Sequence, residues 1–441
     1  MINHKKFLLD NYTINQMIKK KLLLIQLNEI NFQIAKQYSN NIDFKFFNKD
    51  FFKKLFITDS ESRYELLEPW IQWVSIYTGK KADEHQIFRL GDIKKYNDVS
   101  VFNIVEKLNK SVGVICPMNL ENNLKQPKYF ISDPWTKTLS GPGKILQFIS
   151  KTISDVVNLN SHKSMPVSLY LKVGAVLLFS FRFKNIFLYL KLIFNFKRRW
   201  NKALLLDLIL HDLHLSMLKK HKTDFSSVFL NAGAHIQHHY FFNSKYIKNK
   251  NLINPNWYIE KKYDPMLDMI IFYDEILSEY KKLNNYEIIL ATGLSQKPYD
   301  RIKFYYRLKE HTNFFKNLNI KFVKIEPRMT RDFLVIFKND DDKNLAIKKL
   351  NELNQVNEKI IFSFESRASS LFVTLSLQEE INENDEVIID ANKKILIKDH
   401  VVFVALKNGM HDSKGYFYST FNTEVTNITQ INKKIINFFN K

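Results

Sequence analysis

The chain has 441 residues, 45% hydrophobic and 25% charged, a globular balance that excludes wholesale disorder and leaves room for one large domain with insertions or two to three ordinary ones. Its 66 Lys and Arg exceed 45 Asp and Glu, giving a formal charge of +21 that favours phosphate-rich partners, a phosphorylated substrate or anionic lipid among them. The lysines are dispersed and no nucleic-acid-binding module is recognisable, so no nucleic acid is expected as a partner; the single cysteine, Cys116, excludes an intrachain disulfide and a thiolate metal cluster.

In chain order, polar residues are spread throughout the first twenty, and the apolar run behind them is too short for a secretory segment with a cleavage site; this reads as a cytoplasmic protein. That run, Lys21 to Leu27, is an apolar block of the kind that forms a buried parallel strand, and it delivers Asn28 and Glu29 at its C-terminal end. Ligands bind at that end in open α/β sheets. Similar blocks recur at Ser111–Ile115, at Ser227–Leu230 before Asn231, at Glu287–Leu290 before Gly293, and at Val401–Leu406 before His411. Helix-like segments such as Pro265 to Leu283 separate them, which predicts an α/β fold with a mostly parallel sheet sandwiched by helices.

Two regions break this rhythm. Residues 168–200 are apolar and aromatic but interrupted by Lys172, Arg182, Lys184 and Lys191, too charged for a membrane span and suited to helices that cap the protein or lie on the inner face of an anionic membrane. From Arg331 to Leu377, a strand, a helix and another strand predict a small inserted α+β cap. The expected organisation is a core over 1–330 that includes the helical insertion at about 165–200, the cap over 331–377, and the rest of the core over 378–441.

Four signatures follow one another: Leu22 to Glu29; Ser75-Ile76-Tyr77-Thr78-Gly79-Lys80 with Glu84-His85-Gln86-Ile87; Asn231-Ala232-Gly233-Ala234-His235; and Gly409-Met410-His411. In that order they resemble the alkaline phosphatase superfamily, nearest its nucleotide pyrophosphatase/phosphodiesterase branch. The chain is also similar to alkaline-phosphatase-like proteins associated with surface-polysaccharide biosynthesis. The resemblance implies two zinc ions about a threonine, serine or cysteine nucleophile, a pair that stabilises both the attacking and leaving oxygens of phosphoryl transfer.

Carried onto this chain residue by residue, the resemblance is degenerate. The first-strand aspartate falls on Asn28 and its neighbouring glycine on Glu29, the nucleophile on Pro69, and an aspartate–histidine pair near Gly293 and Leu294, so one metal site is predicted lost. The other keeps Asn231, His235 and His411, with His238, His239 or Asp412 as further ligands, enough for one Zn or Mn ion. Glu68, beside the nucleophile slot and in front of Trp70 and Trp73, is placed for general acid–base work, with Glu29 as another base. Asn28, Arg63, Trp70, Gln72 and Arg89 are the expected substrate-binding residues.

These positions imply a divergent hydrolase or transferase acting on a phosphorylated glycan- or lipid-linked substrate, one that forms no phospho-threonine at the usual place because proline has no nucleophilic atom. The rival is a pseudo-phosphodiesterase that binds a sugar or phospholipid, or scaffolds a membrane assembly, through the old pocket.

Overall fold

In the computed structural model, which describes residues 21–95, 99–136, 138–159, 166–195, 197–247, 251–328, 331–390, 393–421 and 423–440, the first apolar run forms β1 (Lys21–Leu27), buried along its length after Lys21. The reading made on residues 1–20 lies outside the described residues. With β2 (Leu55–Asp59), β3 (Val112–Ile115), β4 (Tyr129–Ile131), β5 (Phe225–Leu230) and β6 (Tyr286–Ala291), β1 builds a seven-stranded sheet ordered β2-β15-β6-β1-β5-β3-β4. β1 pairs in parallel with both β5 and β6, and β3 in parallel with β5 and β4. Only β15 (Lys414–Ser419) runs against its neighbours, so the expected mostly parallel α/β sheet is present.

Helices cover the sheet. Pro265–Lys281 starts at an Asp264 side chain that accepts from the Leu267 N–H, with proline at the first helical position, a sequence arrangement pre-organised to begin a helix. Asn201–His221 and Pro69–Thr78 pack other faces into one core whose largest wholly buried side chains include Trp73, Trp200 and Tyr77.

The block at Val401–Leu406 is not a strand of this sheet, contrary to expectation. It begins β14 (Val401–Asp412), which pairs antiparallel with β7 (Ser295–Leu308) in a separate two-stranded ribbon. Burial along β14 is broken, with Val402, Phe403, Val404 and Lys407 only partly buried, and Val401 and Leu406 pack into a second hydrophobic core. That second core also contains β8 (Lys324–Pro327), β9 (Asp332–Ile336), β10 (Phe362–Arg367) and β11 (Ser370–Leu375), in a four-stranded sheet ordered β10-β11-β9-β8 backed by helix Asp340–Val356. It draws as well on Phe304, Phe314 and Val387, outside the bounds 331–377. A hairpin of β12 (Glu386–Asp390) and β13 (Lys393–Leu396) completes it.

The ribbon ties the two cores together. Leu308 and Val401 pair at its second-core end, Gln296 and His411 at its main-sheet end, and the ladder slips between Lys407 and Gly409. Such an irregularity re-aims the side chains beside it. Gly409 is required at that slip, because a Cβ there would lie 2.2 Å from Gln296 Oε1 and 2.7 Å from the Gln237 carbonyl oxygen.

Candidate functional site

β1, β5 and β6 end side by side, at Asn28, Asn231 and Thr292. The first residue past Asn28 is Glu29, with φ of 60° in the left-handed region, a conformation that costs a non-glycine residue about 1 kcal/mol. Its neighbours hold it there: the Glu29 N–H donates to Thr292 O at 3.1 Å, and its carbonyl accepts from Gln237 Nε2 at 2.7 Å. A strained backbone at the mouth of a sheet is the kind of outlier found at functional sites.

The Glu29 carboxylate is the hub. Oε1 accepts from Asn28 Nδ2 at 2.9 Å, and Oε2 accepts from Gln296 Nε2 at 2.5 Å. The same Oε2 lies 3.2 Å from His238 Nε2 and 3.2 Å from His411 Nε2. Glu29, His238 and His411 thus each present one ligand atom, all within 4.8 Å of one another.

Each imidazole has an oxygen behind it. His238 Nδ1 is 2.9 Å from the Gly409 carbonyl oxygen, which can only accept, so Nδ1 carries the proton and Nε2 is turned toward Glu29. His411 Nδ1 faces Glu68 Oε2 at 3.7 Å. His238 is thus fixed by a hydrogen bond from behind, as metal-binding histidines are, whereas His411 has a carboxylate behind it at ion-pair distance only. Two imidazoles and one carboxylate are a donor set that suits a mononuclear zinc or manganese ion.

The electrostatics fit this grouping. Burial works against the Glu29 carboxylate, but His411 and His238 outweigh it and hold its pKa well below the usual carboxylate range. Burial also opposes a charge on His411, yet Glu29 and Glu68 raise it overall. Glu68 begins helix Pro69–Thr78 without spending its side chain on a cap, and burial pushes it up to about 7.

The expected ligand set is therefore regrouped. Asn231 does not join the histidines: its Oδ1 accepts from Asn28 Nδ2 at 2.8 Å. His235 packs against His239 with the rings tilted by 60° and their centroids 4.6 Å apart, and His239 Nδ1 meets the Leu406 carbonyl at 2.7 Å. These two are one turn apart on helix Ala232–Tyr240, whereas His238 is about 100° round from His239 and alone reaches Glu29. Asp412 pairs through its backbone with Ser295 and accepts from the Lys414 N–H at 3.4 Å, outside the triad.

Of the expected substrate-binding residues, Asn28 borders the hub while the others are engaged elsewhere. Arg63 pairs with Asp83 at 2.7 Å, Arg89 with Glu365 at 2.5 Å, Trp70 Nε1 donates to Phe88 O at 3.1 Å, and Gln72 bonds Glu61 N and Leu66 O. The space between Asn28 and Gly293 belongs to the buried Trp73 indole. Its Nε1 donates to Asn28 Oδ1 at 2.8 Å, and a Cβ on Gly293 would stand 3.2 Å from the ring. Pro69 is the first residue of its helix and Leu294 is wholly buried.

Sequence reasoning missed Gln296, Lys407, Arg331 and Tyr305. Arg331 lies 4.0 Å over the Tyr305 ring and Lys407 Nζ is 5.7 Å from the same ring centroid. Burial lowers Lys407 to about 8 even though Glu29 pulls the other way, and Arg331 Nη1 is buried without a partner among the described residues. No local pattern marked Lys407, because the ladder slips between Lys407 and Gly409 and breaks the two-residue period of the strand.

No family model matches the chain, and no curated protein matches it. Among solved structures it is similar to the alkaline phosphatase PafA (9% identity, 95% of each chain covered, TM-score 0.45) and to phosphonoacetate hydrolase from Sinorhizobium meliloti (9%, 96% of each chain, 0.44). Human ectonucleotide pyrophosphatase/phosphodiesterase 5 follows at 8% identity, 96% of this chain, 95% of that one and a TM-score of 0.40. At such identities and TM-scores these likenesses transfer no site residue and no activity to this chain.

Proposed function

We propose that the protein is a mononuclear metal-dependent phosphoric-ester hydrolase or transferase, acting on a phosphorylated glycan- or lipid-linked substrate. The observation that carries this reading is the convergence of Glu29, His238 and His411, with His238 hydrogen-bonded from behind and Glu68 at ion-pair distance behind His411. Those three side chains would hold one zinc or manganese ion, which supplies Lewis-acid polarisation and lowers the pKa of water.

The protein's own groups account for the rest. Glu68 Oε2, pushed up to about 7 by burial, exchanges a proton near neutral pH and so suits activation of water or an acceptor hydroxyl. Lys407, within electrostatic reach of Glu29 and Glu68, and Arg331, against the same Tyr305 ring, suit the non-bridging oxygens of a phosphoryl group. Pro69, at the helix start where a nucleophile would sit, leaves direct attack as the route. The glycan or lipid portion of the substrate rests on the likeness to polysaccharide-associated proteins.

One observation favours the second reading, a non-catalytic sugar- or phospholipid-binding protein: the Trp73 indole fills the space beside Asn28 where a second metal would sit in the resembled family. Metal content by inductively coupled plasma mass spectrometry, followed by turnover of phosphate mono- and diesters, separates the two. A metal lost in His238→Ala together with His411→Ala, and turnover lost with it, supports the enzyme. Absence of metal after reconstitution leaves the binding protein.

A further inference from the structure

Helices Val167–Ser180 and Ile186–Phe194 meet at a bend of 116°, and neither is long enough to cross a bilayer; among the described residues no single helix is long and apolar enough to do so. One side of the pair is packed. Leu169, Val176, Leu188, Tyr189 and Leu192 are buried.

The other side is bare. Leu178 is 85% exposed, Phe183 83%, Phe187 82%, Val167 76%, Leu171 72% and Phe194 65%. Large apolar side chains grouped in this way on a folded surface mark an interaction site.

The turn between the helices is clamped. Arg182 reaches Glu279 at 2.9 Å and Asp212 at 3.3 Å, Lys184 reaches Glu279 at 3.0 Å, and Asn185 Nδ2 donates to Asp212 Oδ1 at 2.6 Å. Phe183, between the two cations, therefore points outward from a fixed backbone. Its exposure is built into the fold.

Beside this turn opens a groove of about 590 Å³ that is strongly cationic. Lys21, Arg182, Lys184, Lys219, Lys222 and Lys282 line it, and among the described residues the only acidic one lining it is Glu279, already matched by Arg182 and Lys184.

We propose that this helix pair and the adjoining groove form a docking face for an anionic lipid bilayer, the exposed aromatic and aliphatic side chains entering the interface while the lysines meet headgroup phosphates. Charge decides between the possible occupants. Two copies of a chain with net charge +21 would bring like-charged grooves together, whereas an anionic surface complements them.

The test is co-sedimentation of the full chain with phosphatidylcholine vesicles, with and without about one-third phosphatidylglycerol. Two double variants accompany it, Phe183→Ser with Phe187→Ser, and Lys219→Glu with Lys282→Glu, each checked by circular dichroism and thermal midpoint. All four positions lie at the surface or line the open groove. Binding only to the phosphatidylglycerol vesicles, weakened about tenfold by either double variant and by salt, is the expected result. Failure to bind them, or binding that both variants leave unchanged, overturns the proposal. So does a concentration-dependent dimer, seen by light scattering, that the phenylalanine variant dissociates; the face would then belong to a second copy.

Discussion

His411 Nε2 and Glu29 Oε2 lie 3.2 Å apart, although one side chain comes from the far end of the β14 ribbon and the other from the loop after β1. His238 approaches the same oxygen at the same distance from a third element. Three separate pieces of chain thus present a carboxylate and two imidazoles to one point.

Metal retention distinguishes this triad from the ligand set read in the sequence. His238→Ala and His411→Ala should each lose the bound ion, while His235→Ala should keep it, as His235 packs against His239 outside the triad. Glu68→Gln, which removes the carboxylate behind His411, should weaken metal affinity by about tenfold. Mass-spectrometric metal content after dialysis against a graded chelator reads all four variants; a metal-free His235→Ala would overturn the assignment.

The pH dependence of turnover follows from Glu68 and Lys407. A base must be deprotonated to act, so kcat/KM should rise through about pH 7. Lys407 must be charged to hold an anion, so kcat/KM should fall above about pH 8. Glu68→Gln should flatten the acid limb. Lys407→Met should remove the alkaline one and raise KM more than it lowers kcat; an alkaline limb that survives this substitution rules Lys407 out.

Trp73 should be worth more to folding than any other single side chain near the site. It is wholly buried, donates to Asn28 and lies against Gly293. Trp73→Ala should cost about 4 kcal/mol through the cavity it leaves. Trp73→Phe should cost about 1–2 kcal/mol, chiefly from the orphaned Asn28 oxygen. Urea denaturation with equal slopes would measure both.

Stability should also carry the signature of Glu279. Burial opposes its ionisation, but His211, Lys184 and Arg182 hold its folded pKa below 4.5, so the stabilisation is present above the ordinary carboxylate pKa and is lost as pH falls toward the folded value. Glu279→Gln should destabilise the protein by about 3 kcal/mol at pH 7, with the gap to wild type closing in acid. Thermal midpoints from pH 3 to 7 test this, and a gap independent of pH would show that the carboxylate's charge is not the source.

The central strands were legible because an apolar run bounded by polar residues has few other places to go. β1 matches its predicted bounds, and β3, β5 and β6 differ from theirs by a residue or two. Val401–Leu406 has the same apolar character, but apolarity does not say which core a strand joins, and here it is the second. The site was half legible. Glu29, Glu68 and His411 stand out by type and position, whereas the choice of His238 over His235 depends on how one helix is rotated against β14. Gln296 and Arg331 carry no local mark of their role. They matter only because the ribbon and the second core bring them in.

The β7–β14 ribbon leaves the triad and the second core sharing one strand. At one end Leu308 and Val401 are rooted in the second core; at the other, paired Gln296 and His411 touch Glu29. Twelve extended residues reach about 40 Å. The position of His411 against Glu29 is thus set partly by a core in which neither residue lies.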